Sequence, residues 1–336
     1  MSTRMFCSAL VSLTLSAALS VTLSAGARQT AGSRGAPAPL PDNPQSLAHV
    51  EAARKLAGSD SWLQAPFNFY CVAGNARANN GNAPVREPAK LFDNLYAVGS
   101  TEATVYAITT SDGILLIDSD SAARVETSVV EGLKTLGLDP ANVKYVLLGH
   151  GHADHFGGSA HLQQRYGAKV ATTAADWDLI HPPNQPVNPD RPKRDVVVSE
   201  GQPLTLGDVT VTLVAIPGHT AGSLGFIFPV KEGGQTRTVG LFGGTILMMD
   251  RITTAGLTQY VASIAHYLDV ARNMRVDVAV QNHPIFDQSP ERFAALKARA
   301  AGDRHPFLVT TDKYVTFWNV ISACIQAEIA RRPPSP

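Results

Sequence analysis

The sequence predicts a mixed α/β fold, of the α+β type, in which two β-sheets pack face to face with helices on their outer sides. Three observations lead there. From residue 91 onward, short runs rich in Val, Ile and Leu alternate with stretches of helical spacing. The alternation occurs twice, before and after a Pro-rich loop at residues 181–192. Within each half the strands come before the helices, so each half is expected to form one sheet with its own helical cover.

In the first half, strands are expected at residues 95–99, 104–110 and 113–117, where apolar and β-branched residues cluster. Helical spacing covers 121–136. The apolar run KYVLL at 144–148 reads as a buried strand, followed by a helix at 158–166, a strand at 168–172 and a short helix at 174–180. In the second half, strands are expected at 203–206, 209–216, 225–228 and 239–242. A helix at 257–272, a strand at 276–281 and helices at 291–300 and 314–330 complete the chain.

The chain has 336 residues, 44% apolar and 17% charged, which is ample material for a core. Its 28 basic and 28 acidic residues cancel. No basic stripe suggests nucleic acid as a partner. Arg4 gives a positive start, residues 6–23 are small and apolar, and Ala25-Gly26-Ala27 supplies a cleavage pattern. Residues 1–27 are therefore expected to be a signal peptide, and the mature protein to be periplasmic or secreted, with no stable membrane insertion. Cleavage would remove Cys7 and leave Cys71 and Cys324. An even count in an oxidising compartment predicts a disulfide between them.

Residues 28–90 read as a linker and N-terminal extension ahead of a catalytic domain at 91–336. Within the extension, 28–45 is rich in Pro, Gly, Ala and Ser, 46–57 suits a short amphipathic helix, and 58–90 reads as irregular. Trp62, Pro66, Phe67, Phe69 and Tyr70 are expected to pack this leader onto the body, or in part to wall the active site.

The chemistry concentrates in Gly149-His150-Gly151-His152-Ala153-Asp154-His155, directly after the 144–148 strand. In extended chain, residues two apart point the same way, so His150 and His152 can reach one ion. Asp154 and His155, where the chain turns toward a helix, can face a second. His219 in IPGHTAGS and His283 in QNHP stand at the ends of other expected strands and close the set. Each ion would then have three protein ligands and an open position, the mark of a catalytic site. A set dominated by imidazole favours zinc, two ions per chain. His49, His161, His266 and His305 lack clustered partners and read as structural. His181 lies in the Pro-rich loop and is a candidate to overhang the site.

The segments HGHADH, PGHTAGS and NHP together resemble the metallo-β-lactamase superfamily over roughly residues 91–330. The resemblance implies a four-layer αββα sandwich with metals at one edge between the sheets. It implies that His150, His152 and His219 hold the first zinc, and Asp154, His155 and His283 the second. Asp118, ending GILLID, matches a carboxylate that supports the metal loop without being a ligand. Other branches of the superfamily place a bridging Asp, or a Cys ligand, where this chain has Gly243-Gly244-Thr245. Five His and one Asp look like the third subclass of metallo-β-lactamases. Thr245 could keep a hydroxyl for substrate or water, whereas Leu247 and Met248 stand where polar groups would be sought.

The expected activity is that of a monomeric exported hydrolase of small molecules. A metal-bridging hydroxide, oriented by Asp154, would open the cyclic amide of a β-lactam antibiotic. Ser223 is expected to be structural. The alternatives are hydrolysis of a lactone or other carboxylic ester, and a periplasmic protein that binds metal without catalysis.

Overall fold

The computed structural model describes residues 40–73, 83–186, 188–249 and 251–333. The expected signal peptide and the linker up to residue 39 lie outside the described residues.

Seven strands form the first sheet, in chain order: β1 (Ala89–Phe92), β2 (Leu95–Gly99), β3 (Thr104–Thr110), β4 (Gly113–Ile117), β5 (Val143–Leu147), β6 (Lys169–Thr172) and β7 (Val196–Val197). The first four are antiparallel neighbours and β4 to β7 run parallel. The second sheet has β8 (Leu204–Leu206), β9 (Val209–Ala215), β10 (Leu224–Glu232), β11 (Gln235–Phe242) and β12 (Val278–Ala279), in the order β12-β11-β10-β9-β8. Its pairs are antiparallel except β11 with β12.

The layers follow from side-chain alternation. In β4, Leu115 and Ile117 point into the core between the sheets, where they meet Leu213, Phe226 and Leu241. Ile114 and Leu116 point the other way, into a core with Leu133, Leu162 and Trp177. Those three belong to α3 (Glu131–Thr135), α5 (Ser159–Tyr166) and α6 (Ala174–Ile180). Both faces of β4 are buried, so its sequence is a continuous apolar run. On the far side, Val214, Ile227 and Phe242 pack under α1 (Pro44–Ala57), α7 (Thr254–Asn273) and α9 (Thr311–Arg331). The result is helix, sheet, sheet, helix.

Several expectations need correction. Residues 58–90 are not irregular throughout. Asp60 caps a short helix, α2 (Ser61–Pro66), by accepting from the Trp62 and Leu63 amides, and a π-helical turn, Phe67–Val72, follows. Trp62 stacks on Phe317 of α9 with ring centroids 4.3 Å apart. Cys71 and Cys324 form the expected disulfide.

The helix expected at 121–136 begins later, with a π-helical turn, Glu126–Val130, leading into α3. The preceding chain is held back by Asp118 and Asp120, both at positive φ (64° and 58°). The strand expected at 276–281 reduces to β12. The β10–β11 hairpin extends further than expected, because Gly233 and Gly234, both at positive φ, make its two-residue turn. A short additional helix is α4 (Ala153–Phe156), and the helix expected at 291–300 is α8 (Ser289–Ala298).

Candidate metal centre

Strand ends from both sheets meet at one edge. The Gly149 carbonyl accepts from the Leu224 amide at 2.8 Å, and the Leu224 carbonyl accepts from the Gly243 amide at 3.1 Å. These bonds stitch the ends of β5, β10 and β11 together. A Cβ on Gly243 would lie 2.3 Å from the Leu224 carbonyl and 2.8 Å from Gly149 Cα. Only glycine permits this approach.

The expected metal-directed side chains come from three strand ends and the short α4. His150 and His152 follow β5, Asp154 and His155 start α4, His219 follows β9 and His283 follows β12. His219 Nε2 lies 3.1 Å from His150 Nε2 and 3.0 Å from His152 Nδ1. His155 Nε2 lies 3.0 Å from His283 Nε2. Asp154 Oδ2 is 3.6 Å from the first of these and 3.7 Å from the second. The donor atoms of His150, His152 and His219 form one compact group, and those of His150, Asp154 and His155 form another. His150 thus stands between two clusters, and His283 joins the second through His155 and Asp154.

Neighbouring groups fix the imidazole tautomers. His150 Nδ1 donates to the Gly243 carbonyl at 2.8 Å, and His283 Nδ1 to the Glu102 carbonyl at 2.7 Å. His155 Nδ1 donates to Asp118 Oδ2 at 2.7 Å. Each acceptor is an oxygen, so in the neutral ring the bare nitrogen is Nε2, which faces its neighbours. Burial, reinforced by the adjacent imidazoles, holds His150 and His219 well below the usual histidine range, so both stay neutral. Facing lone pairs at 3.0 Å repel unless a cation lies between them. The donor set therefore fits divalent metal, and its imidazole content suits zinc.

Behind these side chains lies a second layer of polar contacts. Asp118, wholly buried, also accepts from the Gly149 amide at 2.8 Å and from Asn282 Nδ2 at 3.1 Å. Asn282 donates to the Gly243 carbonyl at 2.9 Å as well. Asp120 accepts from Arg124 and Ser128 and supports the loop from below. Asp154 and Glu102 both act electrostatically on the Arg124 guanidinium.

Thr245, expected to meet substrate or water, is wholly buried, and its hydroxyl donates to Asn282 Oδ1 at 3.2 Å. The next residue, Ile246, has φ 61°, a strained conformation for a β-branched side chain. That turn sends Leu247 into the core and leaves Met248 at the surface. His181 Nε2 is committed to the Pro192 carbonyl at 2.7 Å, bracing its own loop. Ser223 serves the Thr220 amide and hydroxyl. His161, His266 and His305 have partners of their own in Glu126, Glu200 and the Leu91 carbonyl. Sequence reasoning missed Asn282, whose one available signal was its place beside His283. It also missed Asp176, which carried none.

A profile of the metallo-beta-lactamase superfamily matches residues 99–232. BJP-1, a subclass B3 metallo-beta-lactamase of Bradyrhizobium japonicum, is 30% identical, with a TM-score of 0.59, over 71% of this chain and 92% of its own. The Rm3 metallo-beta-lactamase is 25% identical over 70% of this chain and 91% of its own, with the same TM-score of 0.59. This chain belongs to the metallo-beta-lactamase superfamily and is a metal-dependent hydrolase of it. A hydroxyacylglutathione hydrolase of Acidiphilium cryptum (strain JF-5) is 32% identical over 110 residues, which is 33% of this chain and 37% of that relative's length.

Proposed function

We propose that this protein is an exported two-zinc hydrolase that opens the cyclic amide of β-lactam antibiotics. The observation that carries the reading is the likeness to BJP-1 over 92% of that chain. The site supports it: five imidazoles and one carboxylate converge from both sheets on one edge.

On this reading His150, His152 and His219 hold one zinc, and Asp154, His155 and His283 the other. Bound zinc supplies a Lewis acid for the scissile carbonyl and lowers the pKa of water. Asp154, partly exposed at the mouth of the site, orients the attacking water by accepting its proton in a hydrogen bond. Asp118 and the Glu102 and Gly243 carbonyls take the Nδ1 protons of His155, His283 and His150 in hydrogen bonds and so aim each Nε2 at the site. Export is part of the proposal. It draws on the N-terminal leader pattern and on the Cys71–Cys324 disulfide, which suits an oxidising compartment.

A second reading, hydrolysis of an ester or thioester, is favoured by the sequence likeness to the hydroxyacylglutathione hydrolase. One assay separates them. The purified protein is given a chromogenic cephalosporin, a lactone and a glutathione thioester, each with zinc and then with a chelator. Turnover of the cephalosporin that the chelator abolishes supports the first reading. Chelator-sensitive turnover of the lactone or thioester alone overturns it in favour of the second.

A further inference from the structure

Asp176 is wholly buried on α6, and no part of the mechanism above uses it. Its Oδ2 accepts from two loops at once. One donor is the Gly151 amide at 2.8 Å, the peptide between His150 and His152. The other is the Thr220 hydroxyl at 2.9 Å, on the residue after His219. Its Oδ1 accepts from the Gly222 amide at 3.1 Å. Thr173, the N-cap of α6, donates its hydroxyl to the Gly222 carbonyl at 2.9 Å.

The glycines on either side are shaped to this helix. A Cβ on Gly222 would fall 2.0 Å from Thr173 Oγ1 and 2.7 Å from the Asp176 amide. A Cβ on Gly151 would stand 3.1 Å from the Asp176 carbonyl and 3.2 Å from Leu179 Cδ2. The start of α6 is thus seated on the two loops that carry His150, His152 and His219, with backbone close enough that side chains are excluded.

We infer that Asp176 is a positioning residue for the first metal cluster, setting the distance between the His150–His152 loop and the His219 loop. The three nitrogens of that cluster come from two strand ends, those of β5 and β9, which lie in different sheets. A single carboxylate oxygen joins the two loops, so the nitrogens reach binding geometry before an ion arrives. The second cluster shares only His150 with these loops, and its His155 and His283 are held by Asp118 and the Glu102 carbonyl. Loss of Asp176 therefore weakens the two sites unequally. An amide in its place supplies one acceptor oxygen and turns an NH2 toward a donor, so Asp176→Asn breaks the clamp without removing volume.

The inference rests on the metal-centre reading, and one titration tests the two separately. Zinc and cobalt(II) are titrated against a chromophoric chelator into wild type, Asp176→Asn, Asp176→Ala and Thr220→Val. Wild type is expected to take up two ions. In Asp176→Asn and Asp176→Ala the affinity of the His150–His152–His219 site, followed by the cobalt spectrum, should fall about 10- to 100-fold relative to the other site. Thr220→Val, which deletes one of the three bonds, should fall less in the same direction, and it gives a reading if the Asp176 variants do not fold. Wild-type affinities at both sites in all the folded variants, or an equal loss at both, would overturn the role given to Asp176. A wild type that binds no metal would instead overturn the metal-centre reading itself.

Discussion

The Asp118 carboxylate stands 2.7 Å from His155 Nδ1, both side chains wholly buried, and the same carboxylate accepts from the Gly149 amide one residue before His150. One buried group therefore sets the tautomer of one metal-directed imidazole and the path of the strand that delivers another. Asp118→Ala should lower metal affinity about 10- to 100-fold, with the His155 site hit hardest. It also leaves buried donors on Gly149 and Asn282 without an acceptor, which should cost about 1–3 kcal/mol. Chelator competition and denaturant unfolding check the two effects separately.

Crowding at the end of β11 makes a second expectation. A Cβ on Gly244 would lie 2.9 Å from Ser223 Oγ and 3.1 Å from His219 Cβ. Gly244→Ala should cost about 1–3 kcal/mol by overpacking and displace His219. Thermal unfolding together with zinc stoichiometry would show it. A melting temperature and stoichiometry equal to wild type would contradict the packing described here.

The buried pair Asp287 and Arg292 sets a pH dependence. Burial, opposed by the Arg292 guanidinium, pushes the Asp287 carboxyl up to about 6 from an ordinary value near 3.8. The folded form thus holds its proton more tightly than the unfolded form. The contribution of this group is fully present below pH 3.8 and is lost as pH rises through about 6. The difference in unfolding free energy between wild type and Asp287→Asn, measured from pH 3 to 8, should change by on the order of 2–3 kcal/mol across that window. A flat difference would contradict it.

The Cys71–Cys324 bridge closes a loop with a sequence separation of 253. Replacing both cysteines by Ser should lower stability by about 2–4 kcal/mol. Unfolding of wild type with and without reductant gives an independent measure of the same quantity.

How much of this was legible in the sequence depends on the range of the contacts involved. β4 was clear because burial on both faces leaves an unbroken apolar run. The metal-directed side chains were clear because three His and an Asp crowd into six residues after such a strand. Lys231 and Glu232 hid the far end of the β10–β11 hairpin, which runs beyond the core with charged side chains. The supporting contacts were hidden for a different reason. Asn282 reaches Asp118 across 164 positions, and Asp176 reaches Thr220 across 44. No local period encodes such pairs. Thr245 stood beside the site in sequence, yet the backbone at Ile246 turns its neighbours away from the expected course.

The disulfide also changes what kind of object the chain is. The part between Cys71 and Cys324 is a covalent ring that takes in every strand and every metal-directed side chain described above. A single cut within it, for example at the exposed Gly233-Gly234 turn, opens the ring without separating any piece. Such a nicked molecule would migrate at full mass until a reductant released two fragments, and both halves of the metal centre would stay tethered in the meantime.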